Sequence, residues 1–213
     1  MVEKAVSGKE TILSRIRGAL EGTSELHPLE RNYRQTSEER RKEILEEFVE
    51  IVTDYKAELR RCTQASLQDV IATRLKKRGI LSLLVPEGFP ESYLVGLETV
   101  RDTHLTAAQL DEVAGVITGC AVAIAQTGTI VLDGSKGQGR RALTLIPDYH
   151  LCIVRADQVV GLVPEAVERL SSAIKKGQPL TFISGPSATS DIELSRVEGV
   201  HGPRTLDVIL VDE

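Results

Sequence analysis

The 213-residue sequence has few aromatic residues, with no Trp, three Phe and four Tyr. A hydrophobic core with so few rings must be built from Val, Ile, Leu and Ala. Proteins that bind single-stranded nucleic acid stack bases on aromatic rings, and this chain has little material for such platforms. The net charge of −5 also argues against a general nucleic-acid binder, which needs excess Lys and Arg. We therefore predict no nucleic-acid partner.

Cysteines and long apolar runs are scarce as well. Cys62, Cys120 and Cys152 are isolated, and no Cys-x-x-Cys occurs, which favours free thiols in a reducing compartment. No apolar run approaches the roughly 20 residues that span a bilayer, and the N-terminus lacks the build of a signal peptide. No His or Cys cluster has metal-ligand spacing, and few rings exist to stack a nicotinamide or flavin. These absences predict a cytoplasmic protein without a membrane span, a metal site or a bound cofactor.

The apolar pattern predicts an α/β domain that follows helices. Residues 1–55 contain two amphipathic helical patterns, which we interpret as an N-terminal helical arm. In residues 56–213, short apolar runs alternate with helical patterns of about 10–15 residues, as is typical of a mainly parallel sheet. The runs 121–125 and 130–132 are separated by only four residues, which indicates an antiparallel hairpin. We predict a three-layer α/β/α sandwich with a mixed, mainly parallel sheet.

Glycine-bearing polar loops are the first candidates for binding, because ligands of open α/β sheets bind beyond the carboxyl ends of the strands. Gln126-Thr127-Gly128-Thr129 can hydrogen-bond a small polar ligand, although an ordinary hairpin turn explains it too. Residues 133–141 contain three glycines and suit an anion-binding loop, the alternative being a flexible surface loop. The candidate ligand-binding side chains of this second loop are Lys136, Gln138, Arg140 and Arg141. Neither loop matches a Walker A or a Rossmann fingerprint.

A third polar segment spans residues 184–193, and its candidate ligand-binding residues are Gly185, Ser187 and Thr189. Asp191 and Glu193 in this segment are candidate general bases, although acidic residues at a helix start explain them without a ligand. His201 lies near glycines, and histidine is the residue type that most often transfers protons in enzymes, so it is the third candidate catalytic residue. His150 begins an apolar strand, and we interpret it as a core histidine.

Four motifs follow one another along the chain: Ile124-Ala125-Gln126-Thr127-Gly128-Thr129-Ile130-Val131-Leu132, Leu145-Ile146-Pro147-Asp148-Tyr149-His150, Gly185-Pro186-Ser187-Ala188-Thr189-Ser190-Asp191-Ile192-Glu193 and Gly199-Val200-His201-Gly202-Pro203. In this order they resemble the lactate utilization protein C family, the single-domain members of the LUD group, over residues 40–213. The family often has Glu where this chain has Gln126. A carboxamide can only hydrogen-bond, so we interpret Gln126 as a binding residue.

The resemblance implies a fold similar to that of ribose-5-phosphate isomerase, glucosamine-6-phosphate deaminase and the CoA-transferases. It also implies a role in the oxidation of L-lactate to pyruvate, together with cysteine-rich and iron–sulfur partner proteins. The candidate loops would then converge on a small anionic metabolite. Two alternatives stay open: a stand-alone enzyme acting on a phosphorylated or CoA-linked metabolite, and a non-catalytic assembly or regulatory subunit that docks through residues 1–55. Whether the chain is itself an enzyme is therefore undecided at this point.

Overall fold

The computed structural model describes residues 7–21, 32–189, 197–198 and 201–212. The contacts divide the chain into two units, residues 1–33 and 34–213. In the first unit, helix α1 (Gly8–Leu20) begins with a capping box, in which the Ser7 hydroxyl accepts from the backbone N–H of Glu10 and the Glu10 carboxylate accepts from that of Ser7. None of the side chains of α1 is buried.

The second unit combines strands with short helices. Its described strands are β1 (Glu58–Thr63), β2 (Ser82–Val85), β3 (Glu98–Arg101), β4 (Gly115–Thr118), β5 (Val122–Ile124), β6 (Thr129–Leu132), β7 (Tyr149–Arg155), β8 (Val159–Val160), β9 (Thr181–Ile183), β10 (Ala188–Thr189), β11 (Val197–Glu198) and β12 (Thr205–Asp212). Its described α-helices are α2 (Arg41–Asp54), α3 (Leu67–Arg78), α4 (Ala107–Asp111), α5 (Val163–Arg169) and α6 (Ser171–Lys175). Single 3₁₀ turns cover Gln64–Ser66, Glu91–Tyr93, Arg141–Thr144 and Ala156–Gln158.

A six-stranded sheet forms the centre of this unit, in the order β1-β12-β7-β4-β2-β3. Every neighbouring pair in it is parallel. A second, four-stranded sheet has the order β8-β5-β6-β9. The predicted hairpin is the antiparallel pair β5–β6, and it lies in this second sheet. Strands β10 and β11 form a separate antiparallel pair.

Helices and the second sheet cover the two faces of the parallel sheet. Leu67, Ile71 and Leu75 of α3 pack in one apolar cluster with β7 and β12. On the opposite face, α2 and the second sheet share a cluster with the same two strands, in which Phe48 is fully buried. Helix α5 covers the outer side of the second sheet, where Ala166 packs against β5. The predicted α/β fold with a mainly parallel sheet is therefore confirmed.

The predicted boundary between residues 55 and 56 stays a prediction. Helix α2 lies before it, and its residues Ile44, Leu45, Phe48 and Val52 are buried in the core of the second unit. Across the described parts of the chain, no helix combines the length and the apolar character that crossing a membrane requires.

Candidate functional site

Two clefts lie at opposite edges of the parallel sheet. The histidine cleft, of about 230 Å³, lies at the amino ends of β7 and β12. Its polar lining side chains are Arg141, Thr144, His150, Thr181, Ser184, Ser187 and His201. The glycine-loop cleft, of about 420 Å³, lies at the carboxyl ends of β7 and β12 and beside the loops that follow β2 and β4. Its charged and amide-bearing lining residues are Asp133, Lys136, Gln138, Arg155, Gln158 and Arg169.

His150 forms the inner wall of the histidine cleft and is only 1% exposed. The alternation of side chains along β7 places it on the same face as Cys152 and Val154, toward the second sheet. Its Nε2 lies 2.8 Å from the Oγ1 of Thr118 on the neighbouring strand β4. Burial, aided by the charge of Arg141, lowers the pKa of His150 to about 4. The imidazole is therefore neutral at pH 7.

Arg141 supplies the permanent positive charge of the histidine cleft. It begins the 3₁₀ turn that follows the glycine loop, and its Nη1 donates to the carbonyl and the hydroxyl of Thr144 at 2.9 and 3.3 Å. Among the described residues that line this cleft there is no Asp or Glu. An anion entering the cleft would therefore meet a cation that no lining carboxylate neutralises.

Two loops from the sequence motifs form the mouth of the histidine cleft. The backbone N–H of Ser187 donates to the carbonyl of Pro203 at 2.8 Å, and the backbone N–H of His201 donates to the Ser187 hydroxyl at 3.2 Å. These bonds hold the segment that follows β9 against the segment that precedes β12. The side chain of His201 is exposed at this mouth, where it can meet a ligand.

The Gln126–Thr129 loop is a packed turn that reaches the histidine cleft indirectly. Gly128 has φ 56°, and a Cβ there would lie 2.8 Å from the Ile51 side chain in α2. The Thr129 hydroxyl lies 2.7 Å from that of Thr127 and 2.8 Å from that of Ser184, which lines the cleft. The side chain of Gln126 is exposed and does not line the cleft. The loop therefore orients Ser184 through a chain of hydroxyls.

The structure brings some of the predicted residues together and separates others. Those that line the histidine cleft are Arg141, Gly185, Ser187 and His201. Lys136 and Gln138 line the glycine-loop cleft instead. Arg140 is held by two hydrogen bonds to the Asp102 carboxylate, at 2.8 and 3.0 Å. The predicted residues Asp191 and Glu193 lie outside the described residues, as does the side chain of Thr189.

Sequence reasoning missed four polar residues of the histidine cleft: Thr144, His150, Thr181 and Ser184. His150 is buried as we expected of a core histidine, yet it also lines the cleft. Its place at the end of the motif Leu145–His150 was the available signal. Ser184 begins the polar segment 184–193, which was a further signal, whereas nothing in the local pattern marks Thr144 or Thr181.

Comparison with known proteins places this site in a family. The model of the family described as LUD domain matches residues 45–211. The chain belongs to the LUD domain family. All residues that line the two clefts fall inside the matched range.

Two relatives and one crystal structure are similar to this chain over most of its length. A protein from Deinococcus radiodurans called lactate utilization protein C is 51% identical over 173 residues, which are 80% of this chain and 81% of that protein. Lactate utilization protein C 1 from Bacillus mycoides is 31% identical, over 73% of this chain and 74% of that protein. The crystal structure of a DUF162 family protein from Deinococcus radiodurans superposes on this chain with a TM-score of 0.72, and the two sequences are 44% identical. The match covers 81% of this chain and 99% of that protein chain. The resemblance predicted from the sequence motifs is confirmed.

Proposed function

We propose that this chain is a cytoplasmic component of an L-lactate utilization system, and that it binds L-lactate or its oxidation product pyruvate in the histidine cleft. The observation that carries the proposal is an arginine in a small cleft without lining carboxylates, in a chain similar to proteins called lactate utilization protein C. Iron–sulfur proteins are its proposed partners.

The chemistry of the histidine cleft suits a small monocarboxylate. Lactate and pyruvate each carry one carboxylate, which the guanidinium of Arg141 can pair with, and a neighbouring oxygen, which hydroxyls can contact. Ser184 and Ser187 provide such hydroxyls at the cleft. The volume of about 230 Å³ is below the range of roughly 300–1,000 Å³ that is usual for drug-sized ligands, so it favours a smaller molecule.

Oxidation of L-lactate to pyruvate releases two electrons and two protons. His201 at the mouth and neutral His150 at the inner wall are candidates to hold or pass a proton, and Asp191 and Glu193 stay proposed for the same role. The chain has only three cysteines, fewer than the four thiolates that usually ligate an iron–sulfur cluster. We therefore propose that partner proteins accept the two electrons.

Growth on L-lactate tests the assignment to this pathway. We expect a strain without the gene, and without a redundant lactate system, to fail to grow on L-lactate. The wild-type gene should restore growth, and Arg141→Ala should not. Arg140→Ala is the matched control, because this neighbouring arginine is held by Asp102 and does not line the histidine cleft. Unimpaired growth of the deletion strain would refute the pathway assignment.

Purification from lactate-grown cells tests the proposed partners. An affinity tag on this chain should recover proteins that contain iron and acid-labile sulfide. Turnover of a phosphorylated or CoA-linked metabolite by the purified chain alone would instead favour the stand-alone enzyme. Recovery of the chain without iron would refute the proposed partnership.

A further inference from the structure

The glycine-loop cleft has the features of a second, separate binding site. It lies at the carboxyl edge of the parallel sheet, where open α/β sheets bind their ligands, whereas the histidine cleft lies at the amino edge. Its volume of about 420 Å³ falls within the roughly 300–1,000 Å³ that is usual for ligand pockets, whereas that of the histidine cleft lies below it. None of its residues is needed by the proposed function.

Backbone contacts hold the glycine loop in place at this cleft. The N–H of Gly137 donates to the carbonyl of Glu87 at 2.8 Å, and its own carbonyl accepts from the N–H of Gly119 at 2.8 Å. The loop is thus joined to the segments that follow β2 and β4. Gly88 has φ 78°, and a Cβ there would lie only 2.8 Å from the Cβ of Lys136. The start of the Lys136 side chain therefore lies directly against the Gly88 backbone, at the border of the cleft.

Two amide side chains stabilise the walls of the glycine-loop cleft. Gln138 is only 4% exposed, and it accepts from the backbone N–H of Asp133 at 2.7 Å and donates to the Ser135 hydroxyl at 2.9 Å. Gln158 donates to the carbonyl of Cys120 at 2.7 Å. These amides are engaged with the protein, so they shape the cleft, and ligand recognition falls to its charged side chains.

Positive charge dominates the lining of this cleft. Three cations, Lys136, Arg155 and Arg169, and one carboxylate, that of Asp133, line it, and Arg155 is also paired with the carboxylate of Asp157, which is not a lining residue. Asp133 accepts from the backbone N–H of Ser135 at 3.0 Å. Arg155 and Arg169 are both tied to Asp157, the first through the carboxylate at 3.0 Å and the second through the backbone carbonyl at 2.7 Å. The two guanidinium groups are therefore oriented before any ligand arrives.

We propose that the glycine-loop cleft binds a metabolite-sized polyanion, a molecule that carries at least two negative charges on phosphate or carboxylate groups. A monoanion can contact only part of this set of donors, whereas a polyanion can contact Lys136 and the two arginines together. The roomier cleft accommodates the larger ligand. The chain thus has two anion sites that differ in charge and size.

Isothermal titration calorimetry of the full chain at low ionic strength tests this proposal, with pyrophosphate and citrate as probes. We expect at least one probe to bind, and the probe that binds identifies phosphate or carboxylate as the preferred group. Lys136→Ala should weaken binding about tenfold, the effect of losing one charge-assisted contact. Lys175→Ala is the matched control, since this exposed lysine of α6 does not line the cleft.

Three results would overturn the polyanion site: no heat with either probe, equal weakening by Lys136→Ala and Lys175→Ala, or weakening by Arg141→Ala as large as that by Lys136→Ala. Circular dichroism of each variant shows that it is folded. If the protein binds a probe in the glycine-loop cleft but binds neither lactate nor pyruvate, the polyanion site is supported and the proposed function is refuted. The experiment therefore distinguishes failure of one proposal from failure of the other.

Discussion

The amino and carboxyl edges of one parallel sheet hold clefts of different character. At the amino edge, one arginine and a neutral, buried histidine line a small cleft with no carboxylate among its described residues. At the carboxyl edge, three cations and one carboxylate line a cleft of nearly twice the volume. A single loop contributes to both, because Lys136 lies at one cleft and Arg141 at the other. Arg140 lies between these two residues in the sequence and is held by Asp102.

The amino edge also carries buried charge on its other face. Leu206 and Val208 of β12 face the second sheet, so Asp207 between them faces α3. Asp207 is fully buried and accepts from Arg74 at 3.1 Å, from Arg78 at 2.7 Å and from the Tyr149 hydroxyl at 3.0 Å. The amino edge therefore contains a buried ionic network in addition to its histidine.

Replacing Asp207 should have the largest effect on the free energy of unfolding. Asp207→Ala leaves the buried guanidinium of Arg74 without this carboxylate, and we expect a loss of about 3–5 kcal/mol in the free energy of unfolding. Urea denaturation measures it. Asp212→Ala on the same strand is the control, since its ion pair with Arg61 is partly exposed and is worth at most about 1 kcal/mol. Similar losses for the two variants would contradict a special role of the buried network.

The second-largest effect is expected from His150, which should make the free energy of unfolding depend on pH. In the unfolded chain a histidine takes up a proton below about pH 6.5, whereas in the folded protein His150 does so only near pH 4. The contribution of neutral, buried His150 to the free energy of unfolding is therefore fully present above pH 6.5, and it is lost as the pH falls toward 4. The free energy of unfolding should fall by about 1.4 kcal/mol per pH unit in this window, about 3 kcal/mol in all, and the slope should level off below pH 4.

Comparing variants isolates the contribution of His150. His150→Gln should flatten the pH dependence of the unfolding free energy between pH 6.5 and 4, because the variant has no imidazole to protonate there. His201→Gln replaces an exposed histidine of the same cleft and should keep the wild-type slope. A wild-type slope in His150→Gln would show that other groups produce the acid sensitivity.

Much of the fold follows from local sequence. The run Ile80–Val85 predicts β2, and the four residues between two apolar runs predict the β5–β6 hairpin. Strand β4 was not predicted, because it is only four residues long, begins with glycine and lies buried between two strands, so no alternation marks it. The reason for Gly115 is tertiary: a Cβ there would lie 2.6 Å from the ring of Tyr149 on β7.

The site was predicted less completely, for a reason of topology. The motif loops were expected at the carboxyl ends of parallel strands, yet Ser187 and His201 lie at the amino edge. Strand β9, which leads to Ser187, belongs to the second sheet, so its end is not tied to the carboxyl edge of the parallel sheet. Strand order and sheet membership depend on contacts between distant residues. The residue types of the site could therefore be predicted, but not their division between two clefts.

Pyruvate binding by two variants, one in each cleft, tests whether the two clefts are separate sites. We expect Arg141→Ala to raise the dissociation constant of pyruvate about thirtyfold, equivalent to about 2 kcal/mol, because it removes a charged hydrogen-bonding group. Lys136→Ala should leave pyruvate binding unchanged. Isothermal titration calorimetry measures both constants. Equal effects of the two substitutions on pyruvate would mean that one site, and not two, binds anions.

The smallest effect is expected at Gln126, where the resemblance implies that relatives often have Glu. Its side chain is exposed and outside the histidine cleft, and its backbone N–H donates to the carbonyl of Gly161 at 3.1 Å whatever the side chain. Gln126→Glu should therefore change the free energy of unfolding by less than about 0.5 kcal/mol. The dissociation constant of pyruvate should also stay within twofold. A marked gain in lactate-dependent growth would instead show that a carboxylate here takes part in the chemistry, and that the site extends beyond the histidine cleft.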